Sequence, residues 1–176
     1  MPVEPILDVS SIDFSRPMFS RADIERVNPH RGVMALLDAV VWVDEGNQNG
    51  VAVKHVRGDE FWASGHIPGL PIFPGVLMVE SAAQLCSFLY YRRTPTTYFA
   101  GFTRIENTVF RGVVTPGDTL QLLAAEIKYN PKRFVTHVQG MVGDDVVFEG
   151  KITGMMFPNL GEITLQSVAD GRVAAQ

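Results

Sequence analysis

The order of apolar and polar positions divides the chain into a strand-forming region, a glycine- and proline-rich loop, one long helix and a second strand-forming region. Residues 36–43 form an apolar run rich in valine. Glu45-Gly46-Asn47 then offers turn chemistry, and beyond it Val51, Val53 and His55 alternate with Ala52, Lys54 and Val56. These segments predict a strand, a hairpin connection and a second strand. Residues 65–75 carry so many glycines and prolines that no regular element fits, and a shaped loop is expected. Pro74 suits the first turn of a helix, where its missing N–H would have no partner, and residues 76–93 continue without a breaker. That helix is apolar nearly all round, which predicts burial. Further strands are predicted at 97–102, 106–114, 119–129, 134–142 and 146–157, punctuated by Pro116-Gly117-Asp118 and Gly143-Asp144-Asp145. One long helix among mostly antiparallel strands gives an α+β class.

The two ends lack this periodicity. Residues 1–19 hold three prolines and predict an irregular arm, either lying over the domain or loose. Ser20 stands three residues before Asp23, the spacing of a capping box, and Asn28-Pro29 closes the segment, so a short helix is expected at 21–27. The chain thus divides into an arm with its short helix (1–27), a single domain (28–157) and a polar tail (158–176).

Composition narrows the function classes. An apolar content of 46 % in 176 residues suffices for one real core. The formal net charge of −4 gives no basic footprint for nucleic acid, so an anionic partner must be met by a local patch. Cys86 is the only cysteine, which rules out an intrachain disulfide and fits a reducing cytoplasm; its apolar surroundings predict a buried packing thiol, not a nucleophile. The first residues show no signal-peptide pattern. Segment 72–91 contains Pro74, Gly75, Glu80, Gln84 and Ser87, too many polar or helix-breaking residues for a membrane span. No pair of residues has metal-ligand spacing.

Two residues stand out as titratable groups in unusual settings. His66 sits in the shaped loop and could act as a base near neutral pH. Glu80 lies on the helix read as buried, where desolvation favours the protonated carboxyl, so it could act as an acid. The helix start at Gly75 and Val76 directs unpaired N–H groups outward, and a glycine there lets a carbonyl approach. Gln84, four residues after Glu80, shares its helical face and would orient the carboxyl or merely satisfy it. By chemistry alone this is a possible acid-base site, and a hydrogen-bonded structural histidine with an ion-paired glutamate reads equally well.

The stretch from Gly65-His66-Ile67-Pro68-Gly69 through Pro74-Gly75-Val76-Leu77-Met78-Val79-Glu80 to Gln84 resembles the signature of the FabZ-type 3-hydroxyacyl-acyl-carrier-protein dehydratases. Asn28-Pro29-His30-Arg31, Leu36-Leu37-Asp38, Tyr98-Phe99-Ala100-Gly101 and Val113-Val114-Thr115-Pro116-Gly117-Asp118 resemble further motifs of that family, so the likeness covers about residues 28–157. The resemblance implies a hot-dog fold, a sheet wrapped around the long helix. It implies His66 and Glu80 as catalytic residues meeting across a homodimer interface, with possible further assembly into a trimer of dimers. Gly75 would supply an N–H to the thioester carbonyl, and Gln84 would hold Glu80. The partner would be acyl carrier protein bearing a 3-hydroxyacyl-phosphopantetheine, with no metal or other cofactor. Ile67 replaces a usual Phe, Ser81-Ala82-Ala83 replaces Ala-Met-Ala, and Ala39 replaces a basic residue, changes that bear on substrate fit. The related A-type enzymes, which also move the double bond, carry Asp at the position of Glu80, so Glu80 favours dehydration alone.

Other candidates are open at this level. His30-Arg31 would meet a phosphopantetheine phosphate or a carrier-protein acid, or be structural or solvated. Arg92-Arg93, Arg111 and Lys132-Arg133 are candidate landing points for an acidic carrier. Phe61, Trp62, Phe73, Phe88, Tyr90 and Tyr91 would line an acyl tunnel or simply pack the core. A hot-dog acyl thioesterase and a non-catalytic acyl-binding subunit are the alternative functions.

Overall fold

The computed structural model describes residues 3–158 apart from 95 and 97. The elements run β1 (Phe19–Ser20), α1 (Arg21–Glu25), a 3-10 turn (Gly32–Met34), β2 (Ala39–Val43), β3 (Asn49–His55), α2 (Gly75–Arg93), β4 (Ala100–Phe110), β5 (Thr119–Asn130), β6 (Arg133–Val142) and β7 (Asp145–Met156). The seven strands form one sheet in the order β1-β2-β3-β5-β6-β7-β4, with every neighbouring pair antiparallel. Helix α2 packs against β3, β4, β5, β6 and β7. A sheet around one long helix is the α+β hot-dog arrangement.

Helix α2 is buried because almost every residue from Met78 to Tyr90 is inside, polar Ser81, Gln84 and Ser87 included. It starts at Gly75, so Pro74 is the N-cap and not a first-turn residue. The Pro74 carbonyl accepts the N–H groups of Leu77 (2.9 Å) and Met78 (3.2 Å). Arg92 and Arg93 occupy the last turn, where cations complement the helix dipole. Cys86 is a fully buried packing thiol, and desolvation pushes its pKa up to about 12.

Two strand boundaries differ from expectation. The strands predicted at 97–102 and 106–114 are one strand, β4, interrupted by bulges between Phe102 and Arg104 and between Glu106 and Val109. Asn107, at φ 51°, sits in the second bulge. Bulges shift side chains between faces, so an alternating pattern breaks while pairing continues. Residues 111–114 leave the strand, since the N–H groups of both Arg111 and Gly112 bond to the Val147 carbonyl. Strand β2 begins at Ala39 because the apolar residues before it, Leu36 and Leu37, turn inward toward α2.

The capping box at Ser20 and Asp23 is present, and α1 ends at Glu25, two residues short of expectation. The arm lies over the domain. Ile6, Leu7, Val9, Ile12 and Phe14 pack on Ala39, Val41, Val51, Val53, Leu123 and Met141, a cluster separate from the one containing α2. The Ile6 N–H donates to Gln139 Oε1 (2.8 Å), and Gln139 Nε2 donates to the Glu4 carbonyl (3.2 Å). Residues 159–176 of the expected tail lie outside the described residues. No helix among the described residues is long and apolar enough to cross a membrane.

Candidate active site

Glu80 stands at the centre of a network tying α2 to the segment before β2. Gln84, one turn further along, donates from Nε2 to Glu80 Oε1 (2.9 Å) and to the Met34 carbonyl (2.8 Å). Its Oε1 accepts the Leu36 N–H at 3.0 Å. All three bonds agree on one amide orientation, because the flipped form would set oxygen against a carbonyl and a carboxylate. Asn28 Nδ2 donates to the Gln84 carbonyl at 2.8 Å, which fastens the Asn28-Pro29-His30 turn to the helix. The turn delivers His30, whose Nε2 lies 3.3 Å from Glu80 Oε1. Both neighbours therefore address the same carboxylate oxygen.

Glu80 and His30 border a cavity of about 330 Å³. Its walls are otherwise Ala83, Ala100, Gly101, Ile152 and the rings of Phe99, Phe102, Phe134 and Phe157, with the Ser87 hydroxyl as a further polar group. The expected aromatic lining is elsewhere. Trp62, Phe73, Phe88 and Tyr90 are core residues, Tyr91 packs against the core and Phe61 is exposed. Phe134 reaches the wall because β7 carries Gly154 opposite it, where any Cβ would collide with the ring.

His66 belongs to the exposed loop before α2. Its N–H donates to the Trp62 carbonyl (2.9 Å) and its carbonyl accepts the Ile72 N–H (3.1 Å). The Ile72 carbonyl is 2.9 Å from His66 Nδ1, so Nδ1 carries the proton there and Nε2 keeps a free lone pair. The preceding turn is anchored from below by Lys54, whose buried Nζ meets Glu60 Oε2 at 2.8 Å. His66 does not border the Glu80 cavity and makes no ion pair with Glu80 within one chain.

Gly75 and Val76 are the first residues of α2, so their N–H groups have no intrahelical acceptor. At Gly75 an added Cβ would lie 2.8 Å from the Phe110 ring, so close packing of β4 on the helix start also demands glycine.

The basic candidates separate into two groups. Arg92 donates to Asn47 Oδ1 (2.7 Å) and lies over Phe19, Arg93 pairs with Glu126 over the Tyr129 ring, and Arg111 pairs with Glu149. Lys132 and Arg133 are exposed on the β5–β6 turn without an ion pair among the described residues. Arg31 donates to the Asn28 and His30 carbonyls, a structural use. His30 is the residue whose neighbour the sequence did not indicate. Its contact with Glu80 spans fifty positions, and only the Asn28-Pro29-His30-Arg31 motif marked it at all.

Comparison with known proteins bears on the fold and the family. The solved dehydratase heterocomplex ApeI:P from Xenorhabdus doucetiae superimposes with a TM-score of 0.67 at 15 % identity, covering 77 % of this chain and 91 % of that one. A mutant thioesterase from Pseudomonas aeruginosa gives 0.55 at 15 % identity, covering 68 % and 81 %. These likenesses show the fold. The 3-hydroxyacyl-[acyl-carrier-protein] dehydratase FabZ of Chlamydia trachomatis is 34 % identical over 141 residues, 78 % of this chain and 92 % of that protein. Its namesake from Acetivibrio thermocellus is 35 % identical over 136 residues, 77 % and 92 % of the two chains. The family model described as FabA-like domain matches residues 28–151, and the chain belongs to this family, among its FabZ-type dehydratases.

Proposed function

We propose that the chain removes water from 3-hydroxyacyl thioesters presented on acyl carrier protein, giving trans-2-enoyl thioesters, with Glu80 of one protomer and His66 of a second completing each site. The observation that carries this reading is Glu80, the one carboxylate among the described residues that borders the apolar cavity, anchored through Oε1 so that Oε2 is left for substrate. His66 Nε2 takes the proton from the carbon next to the thioester carbonyl. The developing enolate oxygen is met by the Gly75 N–H, at the positive end of the 19-residue helix α2. Glu80 passes a proton to the β-hydroxyl, which leaves as water as the double bond forms. His66 ends as imidazolium and Glu80 as carboxylate, and exchange with solvent resets both.

The two-protomer arrangement rests on the separation of His66 from the cavity and on strand β4. This eleven-residue strand is a sheet edge and exposes Phe102, Ile105, Val109 and Phe110. Ile67, Leu70, Val76 and Val113 are exposed as well. A long apolar edge of this kind pairs with another chain or aggregates.

Purified protein given a 3-hydroxyacyl carrier protein should yield the enoyl thioester, and H66A and E80Q should each abolish this. Free thiol release without enoyl product would identify a thioesterase instead, and tight binding without turnover an acyl-binding subunit. Mixing the two inactive variants tests the shared site. Half of randomly exchanged dimers hold one intact site of two, so activity should recover to about one quarter of wild type. No recovery after demonstrated exchange would place each site within one chain.

A further inference from the structure

We propose that His30 is a positioning residue for Glu80, with a proton on Nε2 facing Glu80 Oε1, so that His30 and Gln84 together fix one carboxylate oxygen and leave Oε2 as the working one. The proposal rests on the assignment of Glu80 to the dehydration reaction and adds a residue to it.

The geometry supports it from three sides. His30 Nε2 and Gln84 Nε2 converge on Oε1 at 3.3 and 2.9 Å. A bare Nε2 would oppose two lone pairs across that gap, so the proton belongs on the nitrogen facing the carboxylate. The other ring nitrogen, Nδ1, is buried and has no partner among the described residues, and neither does Asn28 Oδ1. Both residues bound a small space of about 10 Å³ with Arg21, Glu25 and Gln84, room for about one water that would donate to both atoms. Nothing among the described residues therefore draws the His30 proton away from Nε2.

His30 is also held where it is. Asn28 is anchored to the Gln84 carbonyl, and Arg31 Nη1 donates to the His30 carbonyl at 2.7 Å, so the backbone on both sides is fixed. His30 borders the cavity beside Glu80 without belonging to the His66 loop. A carboxyl with one oxygen held twice loses rotational freedom about its terminal torsion, which is what delivery of a proton to one hydroxyl requires.

The test separates a donor from a filler. H30L, similar in bulk and without a donor, should lower kcat by about 10- to 100-fold with little change in KM and in thermal midpoint. H30Q, which can place an N–H near the Nε2 position, should restore most of it. Unchanged kcat in H30L overturns the proposal, and so does H30Q falling as far as H30L. A reading independent of variant folding and of turnover comes from the wild-type protein labelled with ¹⁵N-histidine. The His30 Nε2 resonance, assigned by its loss in H30Q, should be that of a protonated nitrogen at neutral pH. A bare Nε2 refutes the inference even where dehydration is confirmed, and a protonated one in a protein without dehydratase activity would sink the functional assignment alone.

Discussion

Gln84 Nε2 and the Glu80 carboxylate meet at 2.9 Å one turn apart on the same buried helix, and the rest of the Gln84 amide is spent on the Met34 carbonyl and the Leu36 N–H. One side chain thus couples the Glu80 carboxylate to the segment leading into β2. The Q84L variant would strand the Leu36 N–H and Met34 carbonyl, each at about 1–3 kcal/mol if water cannot reach it. We expect a loss of about 2–4 kcal/mol in denaturant unfolding and a fall in kcat larger than the rise in KM. Stability unchanged within error would show that water replaces the amide, and the coupling would then be dispensable.

The cavity makes a prediction about substrate length. Ser87 lies on α2 two turns beyond Glu80 and its hydroxyl has no partner among the described residues. Seven helical residues span about 10 Å, roughly the reach of an eight-carbon chain beyond the reacting carbons. S87F should block that depth. Short-chain substrates should turn over within about threefold of wild type, while kcat/KM for long-chain substrates should collapse. Equal losses at every chain length would mean that acyl chains take another route.

How much of this was legible before the structure depends on how local the signal is. The loop, the first half of α2 and the residues His66, Gly75, Glu80 and Gln84 lie in one segment of twenty residues, 65–84, where glycine, proline and helical spacing speak directly. Three features are non-local. The arm has no period of its own, and its apolar residues find the sheet only because Ala39, Val41 and Val53 face that side. Strand β4 hides its unity behind two bulges. Phe99, Phe134 and Phe157 read no differently from Phe73 or Phe88, and topology alone puts the first three on the cavity wall. His30 combines both difficulties, being a turn residue whose partner lies fifty positions away.

The Lys54–Glu60 pair underlies the turn that carries His66, and it carries a pH signature. Burial alone would raise the Glu60 pKa, but the Lys54 hydrogen bond, the Arg57 N–H and the Lys54 charge together hold it below its usual value of 4.5. A depressed carboxylate stabilises the fold above its unfolded pKa, and that contribution disappears as pH falls through the lower folded value. Wild type should therefore lose stability below about pH 4.5 more steeply than E60Q, which has nothing to titrate there. K54M should lose about 3 kcal/mol at neutral pH, because it strands a largely buried carboxylate. Parallel pH-stability curves for wild type and E60Q would remove the pair from the account.

Lys132 and Arg133 differ from the other basic candidates in making no ion pair among the described residues, and they adjoin one end of the cavity. The Lys132 carbonyl accepts the Met156 N–H at 3.0 Å, next to Phe157, and Phe134 follows Arg133 directly. An acidic carrier docked at this turn would present its thioester arm to the cavity from that end. The charge reversal K132E/R133E should raise KM for a carrier-borne substrate by about tenfold, with an effect that shrinks as salt screens it. A pantetheine thioester carrying the same acyl group should react as with wild type, since no chemistry is touched. Should both substrates suffer alike, the pair supports the fold near Phe134. Should neither, the carrier approaches from another side, and the exposed surface around β4 becomes the next place to reverse charge.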